Sequence, residues 1–199
     1  MFPTISLELI IATTGYIGIF ILMTLNGLIS FPSSQLLYII VGYFVGTKNI
    51  SFVIAAFIGA FGNAVGNIVL YELTRRRGIS ILKKILFIPI SEKTLLNLES
   101  TFKKRGRIFL FFGKLIPAIK VFVPIIAGIS RTPRIIFAII MFIASFIWSL
   151  IFLSIGFIFG KGSGNFGISP LIMIPVALLF FLLFMCFLKR EGINFTEFK

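Results

Sequence analysis

The sequence predicts an all-α polytopic membrane protein: about four transmembrane helices, two opposed re-entrant hairpins, and amphipathic helices on the cytoplasmic face. Three observations carry that prediction. The 199-residue chain is 58% hydrophobic and 13% charged, with 26 Phe and a mean hydropathy of +1.12, which is more apolar side chain than the interior of a soluble domain this size could hide. Apolar runs of the ~20 residues needed to cross a ~30 Å hydrocarbon core recur along it. Its 19 Lys and Arg, against 6 Asp and Glu, gather in a few loops beside those runs, as cytoplasmic loops do under the positive-inside rule. The net charge of +13 is therefore read as topology and not as a nucleic-acid signature, and no nucleic-acid partner is expected.

Taken in order, Ile5 to Leu28 is the first span, with no basic n-region or cleavage site before Ile5 to make it a signal peptide. The polar turn Ser30-Phe31-Pro32-Ser33-Ser34-Gln35 follows. Leu36 to Gly46 is apolar but too short to cross, so it is expected to be a short hairpin that dips in and returns to the same side. Ile50 to Tyr71 is the second span. Its Gly59, Gly62 and Gly66, with Ala55 and Asn63, form a small-residue face suited to close helix packing, and Glu72 is placed to pair with Arg75 and Arg76.

From Arg75 to Arg107 lie more than half of the 19 basic residues, so this loop is expected in the cytoplasm. Ile79 to Leu86, and Ser91 to Phe102 with Leu95, Leu98 and Phe102 on one face, are expected to be surface helices at the headgroup level. Ile135 to Phe159 is the next span, Lys161 to Ser169 a Gly-rich connection, and Pro170 to Leu188 the last span. The whole, residues 1–199, reads as one integral membrane domain. One cysteine, Cys186, and no His or Asp leave no internal disulfide, no His-ligated metal and no Ser-His-Asp triad. Neither cofactor nor metal is expected.

Between the basic loop and the third span runs the stretch 107–130, apolar yet broken by Lys114, Pro117, Lys120, Pro124 and Gly128. An ammonium at the centre of a membrane helix costs roughly 2.5–3.5 kcal/mol, so two of them call for a cause. If every apolar segment crossed, Arg131, Arg134, Lys189 and Arg190 would emerge outside. If both broken segments are re-entrant, every basic cluster and both termini are cytoplasmic. The second arrangement obeys the charge rule, and it also yields two halves of opposite orientation, the plan by which transporters build a midplane site.

Lys114 and Lys120 would sit about 120° apart on an unbroken helix, but Pro117 forces Ile116 out of the helical region. A tip at Leu115 to Ala118 would then bring both amines toward one place. The residues alone leave two readings. The amines snorkel to the cytoplasmic headgroups, or, lacking an acidic partner in the segment, they meet the negative charge of a ligand, for which phosphate is the natural candidate.

Phe112-Gly113-Lys114-Leu115-Ile116-Pro117-Ala118-Ile119-Lys120, then Pro124, Ala127-Gly128-Ile129-Ser130 and Phe137, resembles the signature of the DedA family (the SNARE-associated or VTT-domain superfamily). That pattern runs Gly-Arg-x-x-Pro-x-x-Arg, then Ala-Gly and a downstream Phe. Gly62-Asn-Ala-Val-Gly66, Tyr71, Gly78, Glu99, Phe102 and Gly106 extend the resemblance, which covers most of residues 5–160. It implies a transporter or scramblase for phosphate-bearing lipids in the plasma membrane. Lys114 and Lys120 take the family's two arginine positions, and Asn26, Ser33, Ser34 and Gln35 the first-hairpin positions. Asn26 and Gln35 stand where the family usually has acids, and neither titrates. The expected partners are membrane lipids with anionic phosphate headgroups, and a homo-oligomer is compatible with the sequence. A coupled small-solute transporter and a non-transporting scaffold stand as alternatives. An enzyme ranks last, for want of a nucleophile–base pair.

Overall fold

The computed structural model describes residues 7–30, 33–47, 50–78, 92–116 and 119–166. All of its regular structure is helical: α1 (Leu7–Ile29), α2 (Ser34–Thr47), α3 (Phe52–Arg77), α4 (Glu92–Arg105), α5 (Arg107–Leu115), α6 (Phe122–Ile129) and α7 (Arg134–Phe166). Of these, α3 and α7 are long and apolar enough to cross a membrane. The expected surface helix over 79–86, the cap Ser91, Pro117 and the expected span 170–188 lie outside the described residues, as do the side chains of Leu95 and Leu98.

α3 and α7 form an antiparallel axis. Ser149 Oγ donates to the Ala56 carbonyl at 3.1 Å, Ser145 Oγ to Asn63 at 3.0 Å, and the Phe137 ring stacks on Tyr71 with centroids 4.5 Å apart. α1 runs along α3 in the same direction, Ile19 beside Gly59, Thr24 beside Gly62 and Gly66, and Gly27 against Asn63 and Gly66. α2 runs back, parallel to α7, with Ile39 against Gly156 and Tyr43 against Gly160. α1 and α2 are thus the two arms of one helical hairpin whose turn, at residues 30–33, sits near the middle of α3.

The second hairpin enters from the other end. α5 places Leu110 in a cluster with Tyr71, Phe137 and Met141, then reaches Asn63 and Asn67 through Lys114. α6 returns along α3, with Ile125 beside Leu70 and Gly128 against Tyr71, Thr74 and Arg75. Each hairpin lays its first arm on the long helix of its own half and its second arm on that of the other. Exchanging the two halves reproduces the same packing scheme.

Small residues make this possible. Between helices in lipid the hydrophobic effect gives little net drive, so close van der Waals approach has to supply it. A Cβ on Gly66 would lie 2.1 Å from the Thr24 carbonyl oxygen, and one on Gly156 would lie 2.0 Å from that of Ile39. Outward, the axis and first hairpin show Ile17, Ile21, Phe57, Phe61, Ile139 and Ile143, all exposed.

Three expectations are corrected. Leu36 to Gly46 is not a hairpin in itself but one unbroken arm, and the chain turns before it, because Ser30 (φ 60°) breaks α1. α7 does not stop at Phe159 but stays helical to Phe166, since Gly156 and Gly160 are there to receive α2 and not to end a helix. Glu72 pairs with Arg76 at 3.5 Å, as expected, but not with Arg75; its second partner is Arg134, across the bundle, at 2.5 Å.

Candidate functional site

The two hairpin turns meet level with Asn63 and Asn67 of α3, and most of the buried polar side chains among the described residues collect there. Ile116, at φ −98° and ψ 116°, ends α5 in extended backbone, as a residue before proline should. The chain then turns through Ile119 and Lys120, whose amides donate to the Ile116 carbonyl at 3.0 and 2.8 Å. This turn leaves Lys114 on the last turn of α5 and Lys120 just before α6. Both are 8% exposed, so neither snorkels.

Lys114 Nζ donates to Asn63 Oδ1 at 2.9 Å and to Asn67 Oδ1 at 3.1 Å. Asn63 Nδ2 donates to Asn26 Oδ1 at 3.0 Å, tying the end of α1 into the same cluster. Lys120 Nζ donates to Ser34 Oγ at 2.8 Å and to Gln35 Oε1 at 3.5 Å, at the start of α2. Each amine is therefore met by the opposite hairpin or by α3 through neutral groups. Among the described residues neither has a carboxylate partner; Glu72 and Glu99 are committed to Arg76, Arg134 and Lys103.

Acceptors run short. Asn63 Oδ1 takes hydrogen bonds from Lys114, from Asn67 Nδ2 at 3.1 Å and from Ser145 Oγ at 3.0 Å. Gln35 Oε1 takes them from Lys120, from Ser33 Oγ at 2.5 Å and from Ser34 Oγ at 3.4 Å. An amide oxygen has two lone pairs, and here two such oxygens serve three donors apiece beside two cations. A group that brings only acceptors and negative charge fits this environment, and a cation does not.

Of the residues expected at the site, the structure brings Lys114, Lys120, Asn26, Ser34 and Gln35 into it. Ser33, whose hydroxyl also reaches Gln35, is exposed at the rim, and Pro117 lies outside the described residues. Asn67 and Ser145 were not foreseen, and Asn63 was read only for packing. The signal for the two asparagines is in the sequence: amides four residues apart on one face of an otherwise apolar helix. Ser145 has no such signature, because its role depends on which face of α7 meets α3.

An apolar helical bundle whose deeply buried charges, among the described residues, sit where two hairpins converge defines an integral membrane protein with a polar site in its interior. This chain belongs to the VTT-domain family, the DedA-type membrane proteins: the family model of the VTT domain matches residues 31–158, which hold both hairpin turns. It is 26% identical over 153 residues to the uncharacterized membrane protein YbfM of Bacillus subtilis, covering 76% of this chain and 94% of that one. It is 28% identical over 148 residues to undecaprenyl phosphate transporter A of the same organism, covering 74% and 73%. To undecaprenyl phosphate transporter A of Staphylococcus aureus it is 26% identical over 144 residues, covering 70% and 71%. No solved structure matches the chain.

Proposed function

We propose that this protein lets a phosphate-bearing lipid, a polyprenyl phosphate or a phospholipid, cross the plasma membrane. α3 and α7 span the bilayer, with a further span at residues 170–188. The hairpins α1–α2 and α5–α6 are re-entrant from opposite faces, α1 thereby serving as an arm and not as the span its length first indicated. The basic end of the bundle is cytoplasmic, with the C-terminus, and the start of α1, beside Ile50 and Ser51, is then on the outer face, the reverse of the side expected for the N-terminus from the charge rule. The headgroup rests between Lys114, Lys120 and the amides and hydroxyls of Asn26, Ser34 and Gln35, while the chain stays in lipid beside the outward apolar faces. The observation that carries this reading is the shortage of acceptors around two buried amines with no carboxylate partner among the described residues. The names of the relatives favour polyprenyl phosphate as the cargo and transport over enzyme chemistry.

No titratable acid is found among the polar groups that meet the amines, which favours equilibration down the lipid gradient over coupled transport of a small solute. The test is reconstitution in liposomes with a polyprenyl phosphate or phospholipid bearing a fluorescent headgroup reporter quenched from outside. Faster loss of inner-leaflet fluorescence than in protein-free liposomes is expected, and no acceleration for either lipid would overturn the reading. A scaffold that only binds anionic lipid would tolerate Lys120→Ala and fail on neutralising Arg75, Arg76 and Arg77.

A further inference from the structure

One more cation has donors to spare. Asn63, Asn67, Tyr71 and Arg75 follow one another at intervals of four along α3, so they rise along one face toward the basic end. Arg75 is half-buried there. Its Nη1 donates to the Tyr71 hydroxyl and, at 3.0 Å, to the Thr132 carbonyl, which the Tyr71 hydroxyl also reaches. The Nε and Nη2 of the same guanidinium have no acceptor among the described residues. Glu72, the nearest carboxylate in sequence, is taken by Arg76 and Arg134. That idle edge is the planar two-donor fork whose spacing matches two phosphate oxygens.

The turn held against Arg75 is short of partners too. Between α6 and α7 the chain passes through Ser130, Arg131 (φ 51°) and Thr132. The hydroxyls of Ser130 and Thr132 are enclosed and, among the described residues, bonded to nothing, a costly state for any buried polar group. An arginine edge without an acceptor thus borders, through the Thr132 carbonyl, the turn that carries two enclosed hydroxyls, at the end of a polar line that leads to Lys114.

We propose that Arg75, Ser130 and Thr132 form a second phosphate-binding site at the basic end of the bundle, about 12 Å along α3 from Asn67. The idle guanidinium edge takes two phosphate oxygens and the two hydroxyls donate to the same group. Its role as a staging point on the way to the lysines rests on the translocation reading above, but its existence as a binding site does not. The phosphate is that of a lipid headgroup or a free anion, and the probes below separate the two.

The full chain in dodecyl maltoside, with Lys114→Met and Lys120→Met to remove the central site, is titrated calorimetrically with dodecyl phosphate and with inorganic phosphate. Saturable binding of dodecyl phosphate is expected to persist. Adding Ser130→Ala with Thr132→Val should weaken it roughly tenfold, the loss of hydrogen bonds to a charged group, without lowering the melting temperature, because neither hydroxyl holds anything in the protein. Arg75→Lys, which keeps the charge and loses the fork, should weaken it as well. If the lysine variant does not fold, the unmodified protein should bind dodecyl phosphate at two sites and lose one of them with the hydroxyl substitutions. Equal binding of inorganic phosphate upholds the site and assigns it to the free anion; binding of dodecyl phosphate alone upholds it and assigns it to a headgroup. Absence of a site that responds to Ser130 and Thr132 overturns it, and leaves the liposome result above untouched.

Discussion

The two hairpins are built to the same plan from different materials. In the first, both arms are pressed backbone to backbone against the long helices: a Cβ on Gly27, Gly42 or Gly46 would come within 2.3, 2.2 and 2.7 Å of a carbonyl oxygen of α3 or α7. Its turn carries neutral amides and hydroxyls. In the second, only the returning arm is pressed so, with a Cβ on Gly128 reaching 2.7 Å from the Tyr71 carbonyl oxygen, whereas on the entering arm the nearest neighbours of Gly113 are the side chains of Val123, Ile119 and Phe109, at 2.9 Å and beyond; the turn between them carries both cations. A rigid acceptor surface thus faces a cationic turn with one yielding arm, α5, and one fixed arm, α6. Lys114 sits on the arm whose packing can adjust, while the polar groups that orient it are fixed.

The largest effect should come from attacking the rigid side. Gly156→Ala puts a methyl group into the Ile39 carbonyl, which cannot move without shifting α2, so a loss of roughly 3 kcal/mol or more is expected, read as missing folded protein in size-exclusion chromatography. Next comes the cationic turn. Lys120→Met removes a buried charge with its hydrogen bonds while nearly keeping volume, so lipid flip in liposomes should fall roughly 10- to 100-fold at near-normal folded yield. An unchanged rate would end the idea that the second hairpin supplies the chemistry.

Asn63→Asp sharpens the comparison from the middle. It offers Lys114 a carboxylate in place of a ligand, so a higher melting temperature is expected together with flip reduced by about tenfold, since breaking a paired buried charge is costly. Flip that rises instead would mean that the amine wants a resident counter-ion. The smallest effect belongs to Gly113→Ala. The methyl group meets the far end of a valine side chain, and a helical alanine gains up to about 1 kcal/mol over glycine, so the melting temperature should shift by little in either direction. A loss matching that of Gly156→Ala would erase the distinction between the hairpins.

Much of this was legible before any coordinates. Composition and the clustering of basic residues point to a membrane protein, and Pro117 with its flanking lysines marks a broken segment, because an uncompensated amine in hydrocarbon is too costly to be incidental. Ile116 then adopts the extended backbone that a following proline demands. Reading Leu36 to Gly46 as a whole hairpin failed for a simple reason: a length too short to cross is equally the length of one arm, and the other arm lay in the preceding apolar run, α1. Asn63 and Asn67 carried a spacing signal, but the pairing of Lys120 with Ser34 joins positions 86 residues apart, and no local pattern encodes which helix a turn will face.

The crossed attachment of the arms has a mechanical consequence. A hairpin fastened to a single post could swing by itself, but each of these leans on both α3 and α7 at once, like interlaced fingers. Any motion that spreads the two long helices must draw at both turns together, and any motion that closes them must close both. The two faces of the molecule are thereby geared to each other, with Asn63 beside the pivot.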